Sequence, residues 1–384
     1  MKHLICDIAL SIFLTLACAM PTAAQPLSLD DCMRYAVEHS TSVGQKELDL
    51  DDSKADYVES VASLFPAISA SAGATTNFGR SIDPGTNSYT TVTTFSNSYA
   101  LSGSMPLFEG LQGINTVRAA KVARMMGAAD LEVVRDEVAM QTMSAYIDVV
   151  YYTKTAEIAD EQLQASRATL RLVRKQLDLG LKSPADVAEI ESQVANYDYL
   201  LTTEQNNLAL ARIKLREVMN WPQDTELEIV TDISIDASAC NVTEQEVVSF
   251  ALQYNPRIAS ARHATEMKRL LYAKAKGGYT PSLYLYAGYN TSYYIDFDNK
   301  AAYDPFGSQF RNNRGGYIQA SLSIPIFAGL NRRSSKRRAE NAWRSAQLEQ
   351  QATEHTVESE VSQAWQQMQG FGKQYVHCLL YTSD

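Results

Sequence analysis

Cysteine is scarce in this chain, and the few cysteines that occur lie far apart. The 384 residues include 5 cysteines, and no two of them form a Cys-x-x-Cys pair. Cys32, Cys240 and Cys378 follow the N-terminal segment and are odd in number. Neither a zinc site nor a disulfide framework is therefore indicated.

An excess of positive charge and long apolar runs are absent too. The chain has 34 basic and 44 acidic residues, a formal charge of −10 and a pI near 5.1. A nucleic-acid binder needs a basic face to displace counterions from phosphate. Beyond the N-terminus no run of about 20 apolar residues could cross a bilayer as a helix. These absences exclude a nucleic-acid partner and a polytopic helical membrane protein.

Signatures of catalysis are also missing. The 5 histidines are scattered, and no HExxH, GxSxG, Walker A or Rossmann motif occurs. Gly370-Phe-Gly-Lys373 lacks the Ser/Thr of a phosphate-binding loop. We therefore expect no enzyme, no cofactor and no metal site.

The N-terminal residues have the pattern of a targeting segment. A basic start precedes a largely apolar run over residues 8–20, and the small residues Thr22 and Ala24 follow. This pattern predicts a secretory signal peptide over residues 1–24. A lipoprotein signal acylated at Cys18 and a buried N-terminal helix are the alternatives.

The rest of the chain repeats itself. Three pairs of matching segments occur in the same order, two with the same displacement along the chain and the third with a slightly longer one. The pairs are Ala36–Val43 with Ala251–Ile258, Pro66 with Pro281, and Met105–Leu111 with Ile324–Leu330. We interpret the chain as a tandem duplication, with a first repeat over 25–221, a linker over 222–242 and a second repeat over 243–375. Each repeat is expected to contain two helices, two strands and a long helix.

Four segments alternate between apolar and small or polar residues, which is typical of strands with one apolar face. They cover about 67–77, 97–107, 282–294 and 316–327. Each has about the length that a tilted strand needs to cross a membrane. Eight tyrosines lie between Tyr279 and Tyr317, as in an aromatic girdle. A soluble hairpin with one buried face is the alternative. The predicted signal peptide and the duplication favour strands that cross a membrane. The predicted lipid-facing residues of the last strand are Ile318, Ala320, Leu322 and Ile324.

Two long helices are predicted to form an antiparallel hairpin over residues 111–219. No proline occurs from Leu111 to Leu179, a run that would extend roughly 100 Å as a helix. Apolar residues repeat every seven positions on both sides of a break at Gly180-Leu-Lys-Ser-Pro-Ala185, which is typical of coiled-coil seams. The seams are Val149, Ala156, Leu163, Leu170 and Leu177 before the break, and Val187, Val194, Leu201, Leu208 and Leu215 after it.

These features together resemble the TolC family of outer-membrane efflux proteins, over about residues 26–375. The resemblance rests on the duplicated unit, the hairpin motif Leu-Gly-Leu-Lys-Ser-Pro-Ala-Asp, and the prolines near the strand–helix junctions. Those junction residues are Pro66, Pro106, Pro281 and Pro325. The implied fold is mostly α with β: long antiparallel coiled-coil helices, and four transmembrane strands contributing to one 12-stranded barrel shared by a homotrimer.

The resemblance also implies partners and a site. A periplasmic adaptor would dock at the tip of the helical hairpin, and an inner-membrane pump would supply the energy. The expected adaptor contacts are Gly180, Leu181, Ser183, Asp186 and Val187. The expected location is the outer membrane, with the helices in the periplasm.

The C-terminus departs from the family. A complete second repeat would carry a second hairpin near residue 399, and the chain stops at 384. Residues 376–384 also abandon the Gln-rich helical pattern that precedes them. We therefore expect a C-terminally truncated chain whose assembly is in doubt.

The sequence predicts the exit duct of a tripartite efflux or type I secretion system that passes small compounds or polypeptides. An exported periplasmic coiled-coil scaffold without channel activity is the alternative, and a secreted adhesin is a third interpretation.

Overall fold

A computed structural model describes residues 26–82, 87–222, 224–232 and 242–382. The predicted signal peptide and much of the predicted linker lie outside the described residues. The elements, in chain order, are α1 Leu29–His39, α2 Thr41–Ala62, β1 Ala67–Ile82, β2 Tyr89–Phe108, α3 Gln112–Asp178, α4 Pro184–Val218, α5 Glu244–Tyr254, α6 Pro256–Gly277, β3 Ser282–Asp296, α7 Phe306–Asn312, β4 Gly315–Ser323 and α8 Asn331–Thr382. A short 3-10 turn, Lys300–Ala302, lies between β3 and α7.

The order of elements repeats as the sequence predicts. α5, α6 and the start of β3 follow α1, α2 and the start of β1 at one constant displacement along the chain. The start of α8 follows the start of α3 at the slightly longer displacement of the third pair of matching segments. The two halves even begin with the same capping box, Ser28 with Asp31 and Thr243 with Glu246. These side chains satisfy backbone N–H groups that a helix start leaves unpaired.

The strands form one antiparallel sheet in the order β1-β2-β3-β4. β1 and β2 are longer than predicted, because their pairing continues from Ala67↔Ser104 out to Ile82↔Tyr89. β4 is shorter than predicted and ends at Ser323, so Ile324 lies beyond it. The expected fold class, long helices with a four-stranded antiparallel sheet, is confirmed.

The chain forms two compact units, each assembled from separate segments. One contains Met1–Glu47 and Leu131–Asn241, and the other contains Leu48–Asp130 and Val242–Asp384. These units do not follow the boundaries of the two repeats, because each long helix packs against elements distant in sequence.

The first unit has a core around α1. Cys32, Tyr146, Val149 and Met219 are all buried there, and the Tyr146 hydroxyl donates to the carbonyl of Val230 at 2.5 Å. Burial raises the pKa of the Cys32 thiol to about 11, so it remains protonated as an apolar core residue.

The helical hairpin of this unit has the predicted seam. Leu163 and Leu215 are buried, and seam positions such as Val149 and Val187 are buried as well. Ion pairs flank the seam, including Arg167 with Asp198 at 3.0 Å and Arg174 with Glu191 at 2.6 Å. The seam therefore holds the hairpin together by apolar packing, with exposed ion pairs adding little.

The second unit contains the sheet and the packing of α8 on α6. Ile258, Leu270, Ala346 and Val357 are buried on these two helices, and the Thr265 hydroxyl donates to the carbonyl of Ala346 at 3.0 Å. α8 continues to Thr382, into the tail over residues 376–384 that departs from the Gln-rich pattern. The loss of the Gln-rich composition does not end the helix, since residues 376–382 contain no proline or glycine.

Candidate functional site

The sheet has one apolar and one polar face, and the strand register assigns every residue to one of them. Residues paired across an antiparallel ladder point to the same side. One row of partners is Ile68↔Gly103↔Ala287↔Ile318, and the next is Ala70↔Leu101↔Tyr289↔Gly316. The opposite face carries Ser69, Ser102, Gly288 and Tyr317 in the intervening row. The sheet is therefore amphipathic across its full width.

The apolar face is exposed to its surroundings. Ile318 is 81% exposed and Leu322 is 61% exposed, and Ile68 and Leu101 are exposed as well. A shallow depression of about 550 Å³ crosses this face where Gly103, Ala287 and Gly316 leave room between larger side chains. An apolar surface of this extent marks an interaction site or a membrane contact.

Aromatic residues gather where α7 packs against the sheet, beyond the end of β4. The ring of Tyr99 lies 5.5 Å from that of Phe310, and the ring of Tyr293 lies 5.3 Å from that of Phe306. Tyr99 and Tyr293 both project from the apolar face. Rings with a polar group at the edge of an apolar band are typical of a membrane interface.

The two outer strands have open edges. Within the described residues, the sheet ends at β1 on one side and at β4 on the other. An edge strand leaves a row of backbone N–H and C=O groups without ladder partners. In an apolar environment each such group costs several kcal/mol.

The short helix α7 completes β3 where β4 no longer reaches it. The side-chain amide of Gln309 accepts from the backbone N–H of Tyr294 at 3.1 Å and donates to its carbonyl at 2.9 Å. Asn313 donates to the carbonyl of Ser292 at 2.8 Å. These side-chain amides take the place of a neighbouring strand, so the backbone groups of Ser292 and Tyr294 in β3 have hydrogen-bond partners. The outer edge of β4 has no such partners among the described residues.

The four junction prolines lie close to the ends of the strands. Pro66 and Pro281 stand directly before β1 and β3. Pro106 lies within β2, next to a register shift between Pro106 and Phe108, and Pro325 lies just beyond the end of β4. Pro106 is therefore part of a strand and not of a turn, a location that proline tolerates at such irregularities.

The two turns that lead from strand to long helix have matching left-handed backbones. φ is +62° at Gly110 and +63° at Leu111, and it is +54° at Gly329 and +63° at Leu330. Gly110 packs against Gly277 at the end of α6, where a Cβ on Gly110 would lie 2.6 Å from the Gly277 carbonyl oxygen. A Cβ on Gly329 would have no atom within 4 Å among the described residues.

The tip of the helical hairpin positions the predicted adaptor contacts. Gly180 has φ of +73° and follows the end of α3, and the Ser183 hydroxyl accepts from the backbone N–H of Asp186 at 3.3 Å. The Asp186 carboxylate accepts from the Ser183 backbone N–H at 2.7 Å and from its hydroxyl at 2.8 Å. These bonds hold the pKa of Asp186 below its ordinary value, so the tip keeps a negative charge.

One of the five expected contact residues does not face outward. Leu181 is 71% exposed, whereas Val187 is only 9% exposed because it packs into the seam of the hairpin. Leu179 is also exposed and is not among the expected residues. A hydrophobic residue directly before the terminating glycine is the signal that could have identified it.

The described residues do not contain the features of two other kinds of site. Among them no group of His, Cys, Asp and Glu could hold a metal ion. No described helix combines the length and the apolar character that a bilayer crossing requires.

The fold is that of outer-membrane channel proteins. The structure of CusC, from work on folding and transmembrane channel formation, superposes with a TM-score of 0.77 at 17% identity, over 95% of this chain and 84% of CusC. The outer membrane protein VceC of Vibrio cholerae superposes with a TM-score of 0.71 at 17% identity, over 85% of this chain and 75% of VceC.

The sequence comparisons agree with the fold. The family described as outer membrane efflux protein matches residues 33–220. Outer membrane protein TolC of Vibrio cholerae serotype O1 is 23% identical over 69% of this chain and 58% of that protein. Outer membrane efflux protein BepC of Brucella suis biovar 1 is 24% identical over 76% of this chain and 60% of that protein. Residues 33–220 of the chain are those of an outer membrane efflux protein family member, and the chain spans about 60% of the length of these two relatives.

Proposed function

We propose that this chain is one subunit of an outer-membrane exit duct. Three copies would join their sheets into one 12-stranded barrel, and the long helices would continue the passage into the periplasm. The proposal rests on one observation above all: the sheet has an exposed apolar face, a polar face and two open edges in the described part of the chain.

The amphipathic sheet supports a barrel in lipid. Its apolar face suits the hydrocarbon of a bilayer, and its polar face suits a water-filled interior. Four strands cannot close a barrel, because the smallest membrane barrels have about eight. Copies of the chain are the partners that supply strands of matching length and pattern, and the family resemblance favours three.

The duct would be passive. We assign no catalytic role, cofactor or metal to it, and we assign the energy to an inner-membrane pump that hands over small compounds or polypeptides, in a tripartite efflux or a type I secretion system. Selectivity in a wide aqueous passage would be low, so the pump would decide what is exported.

A periplasmic adaptor would dock at the hairpin tip. Gly180, Leu181, Ser183 and Asp186 support this assignment, since they lie on a capped turn. We add the exposed Leu179 and remove Val187, whose side chain is already used in packing. An apolar pair beside a fixed carboxylate offers both contact area and orientation to a partner helix.

Single-channel recording tests the proposal. The chain is extracted from the outer-membrane fraction with detergent and added to a planar bilayer, where we expect discrete conductance steps. The matched control is the Leu322→Arg chain purified in the same way, which should give no steps because a cation on the lipid face opposes insertion. A wild-type chain that is monomeric and soluble without detergent would instead support a periplasmic scaffold and overturn the duct.

A further inference from the structure

The start of α8 carries a concentration of positive charge. Arg332, Arg333, Lys336, Arg337 and Arg338 fall within a short stretch of a chain whose net charge is −10. The first ion pair along this helix in the described structure joins Arg344 to Glu340, beyond the cluster. Cations in the first turns also oppose the helix dipole. The cluster therefore does not stabilise its own helix.

An exposed apolar segment directly precedes these cations. Ile326 is 95% exposed and Phe327 is 81% exposed, and Leu330 is exposed as well. This segment lies between the end of β4 and the start of α8. Arg333 and Arg337 are four positions apart, which puts them on one face of the helix. Leu330 lies in the turn directly before the helix begins.

The start of α3 in the first half of the chain is equivalent to the start of α8. It shows whether these positions stay exposed once other helices pack beside them. Leu111, Ile114 and Arg118 are the equivalents of Leu330, Arg333 and Arg337, and all three are exposed.

The equivalent stretch of α3 already has helices beside it. A Cβ on Gly113 would lie 2.8 Å from Leu64 Cδ2, next to α2. Further along α3, the Ser260 hydroxyl of α6 donates to Asp130 at 2.5 Å. Closure by another copy would give α8 equivalent neighbours and would leave Arg333 and Arg337 uncovered.

The apolar residues decide which surroundings this face meets. A water-filled passage lined by Leu111, Ile114 and Leu330 would be unfavourable, whereas a bilayer boundary accommodates apolar side chains with cations beside them. We infer that Arg333 and Arg337, supported by Arg332 and Lys336, bind the headgroups of anionic phospholipids at the boundary of the membrane. This inference rests on the proposed outer-membrane location.

The first half of the chain has no equivalent cluster of cations. Its equivalent turn carries Glu109 where the second turn has Ala328, and Gly113, Ile114 and Val117 where the second has Arg332, Arg333 and Lys336. The lipid contact would therefore occur once per subunit, below β4. The chemistry that it recognises is a phosphodiester without a compensating positive charge.

Competitive lipid retention tests this inference. The full chain, purified in detergent, is incubated with equal amounts of phosphatidylglycerol and phosphatidylethanolamine, and bound lipids are counted by native mass spectrometry. We expect wild type to retain mainly phosphatidylglycerol. The double variant Arg333→Gln/Arg337→Gln should lower that preference roughly 10- to 30-fold, since each cation near an anionic surface contributes about a fivefold effect. Raising the salt should also lower it, because the contact is electrostatic.

A matched control distinguishes lipid binding at this cluster from a general effect of the positive charge of the chain. Arg171→Gln/Arg212→Gln removes two exposed cations from the helical hairpin, and it should leave the lipid preference unchanged. An equal loss in both variants, or no preference in wild type, overturns the inference. Inorganic phosphate at millimolar concentration should not displace the lipid; displacement would mean that the cluster binds any small anion.

Conductance distinguishes this inference from the proposed function. If Arg333→Gln/Arg337→Gln changes ion selectivity and leaves lipid retention unchanged, the cluster lines the passage and the lipid contact is wrong while the duct stands. If wild type retains phosphatidylglycerol but never conducts, the duct fails and the lipid contact is supported.

Discussion

The two strand–helix turns of this chain have the same backbone and different neighbours. Gly110 and Gly329 both have positive φ, and both stand between an apolar strand end and a long helix. Gly110 touches Gly277 at the end of α6. Nothing in the described chain lies within 4 Å of the Cβ position of Gly329. Among the described residues, the first turn has a packing partner in the same chain and the second turn has none.

This difference indicates what completes the second turn. In the proposed oligomer, each contact between the two halves has an equivalent between one copy and the next, because the halves repeat each other. The equivalent of Gly110 with Gly277 is Gly329 with Ala62 of the next copy. A Cβ on Gly277 would clash with the Gly110 carbonyl oxygen, so a contact involving Ala62 must be wider. We expect the turn between copies to be packed less tightly than the turn within the chain.

The largest effect should come from a disulfide that tests the strand register between copies. Leu101 pairs with Tyr289 within the chain, and the repeat converts this pair into Ala320 with Ala74 of the next copy. Ala320→Cys/Ala74→Cys, made in a chain whose mature cysteines are changed to alanine, should form oligomers linked by disulfides under oxidation. Paired strand residues have the Cα separation that a disulfide requires.

The matched control shifts one cysteine along the same face. Ala320→Cys/Ala70→Cys moves the second cysteine four positions, about 13 Å along the strand, and should give almost no linked oligomer. Electrophoresis without reductant measures both. Equal linkage in the two variants would mean that the copies do not meet in this register.

The next largest effect should be a difference in stability between alanine substitutions at the two glycines. Gly110→Ala should cost roughly 4–6 kcal/mol, because the new Cβ would meet Thr280 and the Gly277 carbonyl while φ stays positive. Gly329→Ala should cost only about 1–2 kcal/mol, from the left-handed backbone alone. Urea unfolding of the two variants in detergent compares them, and equal losses would contradict the contrast between the turns.

Much of the fold was predictable because it is encoded in local patterns that occur twice. Alternation identified all four strands, and the seven-residue repeat with Gly180, Ser183 and Pro184 identified the hairpin and its turn. β1 and β2 are longer than predicted because their pairing extends past Asn77 into residues such as Arg80 and Ser81, which alternation does not detect.

The candidate site was predictable only for residues that form a regular pattern in the sequence. The apolar row Ile318, Ala320 and Leu322 is visible as alternation, so its face could be assigned. The contact of Gly110 with Gly277 could not be, since it joins residues far apart in the sequence and neither glycine has a side chain to form a pattern. The burial of Val187 follows from its place in the seam, which conflicts with its prediction as an adaptor contact.

The smallest of the three effects concerns the two faces of β4. Leu322→Arg puts a cation on the apolar face close to the end of β4 and should cost roughly 1–3 kcal/mol, between the values for the middle of a bilayer and for its boundaries. Ser321→Arg, its neighbour on the polar face, should cost much less because the guanidinium would meet water inside the barrel. Heat-modifiable migration and urea titration of the two variants measure the difference. If Leu322→Arg folds into membranes as well as Ser321→Arg does, the apolar face does not contact lipid, and the second turn must be completed in water by some other partner.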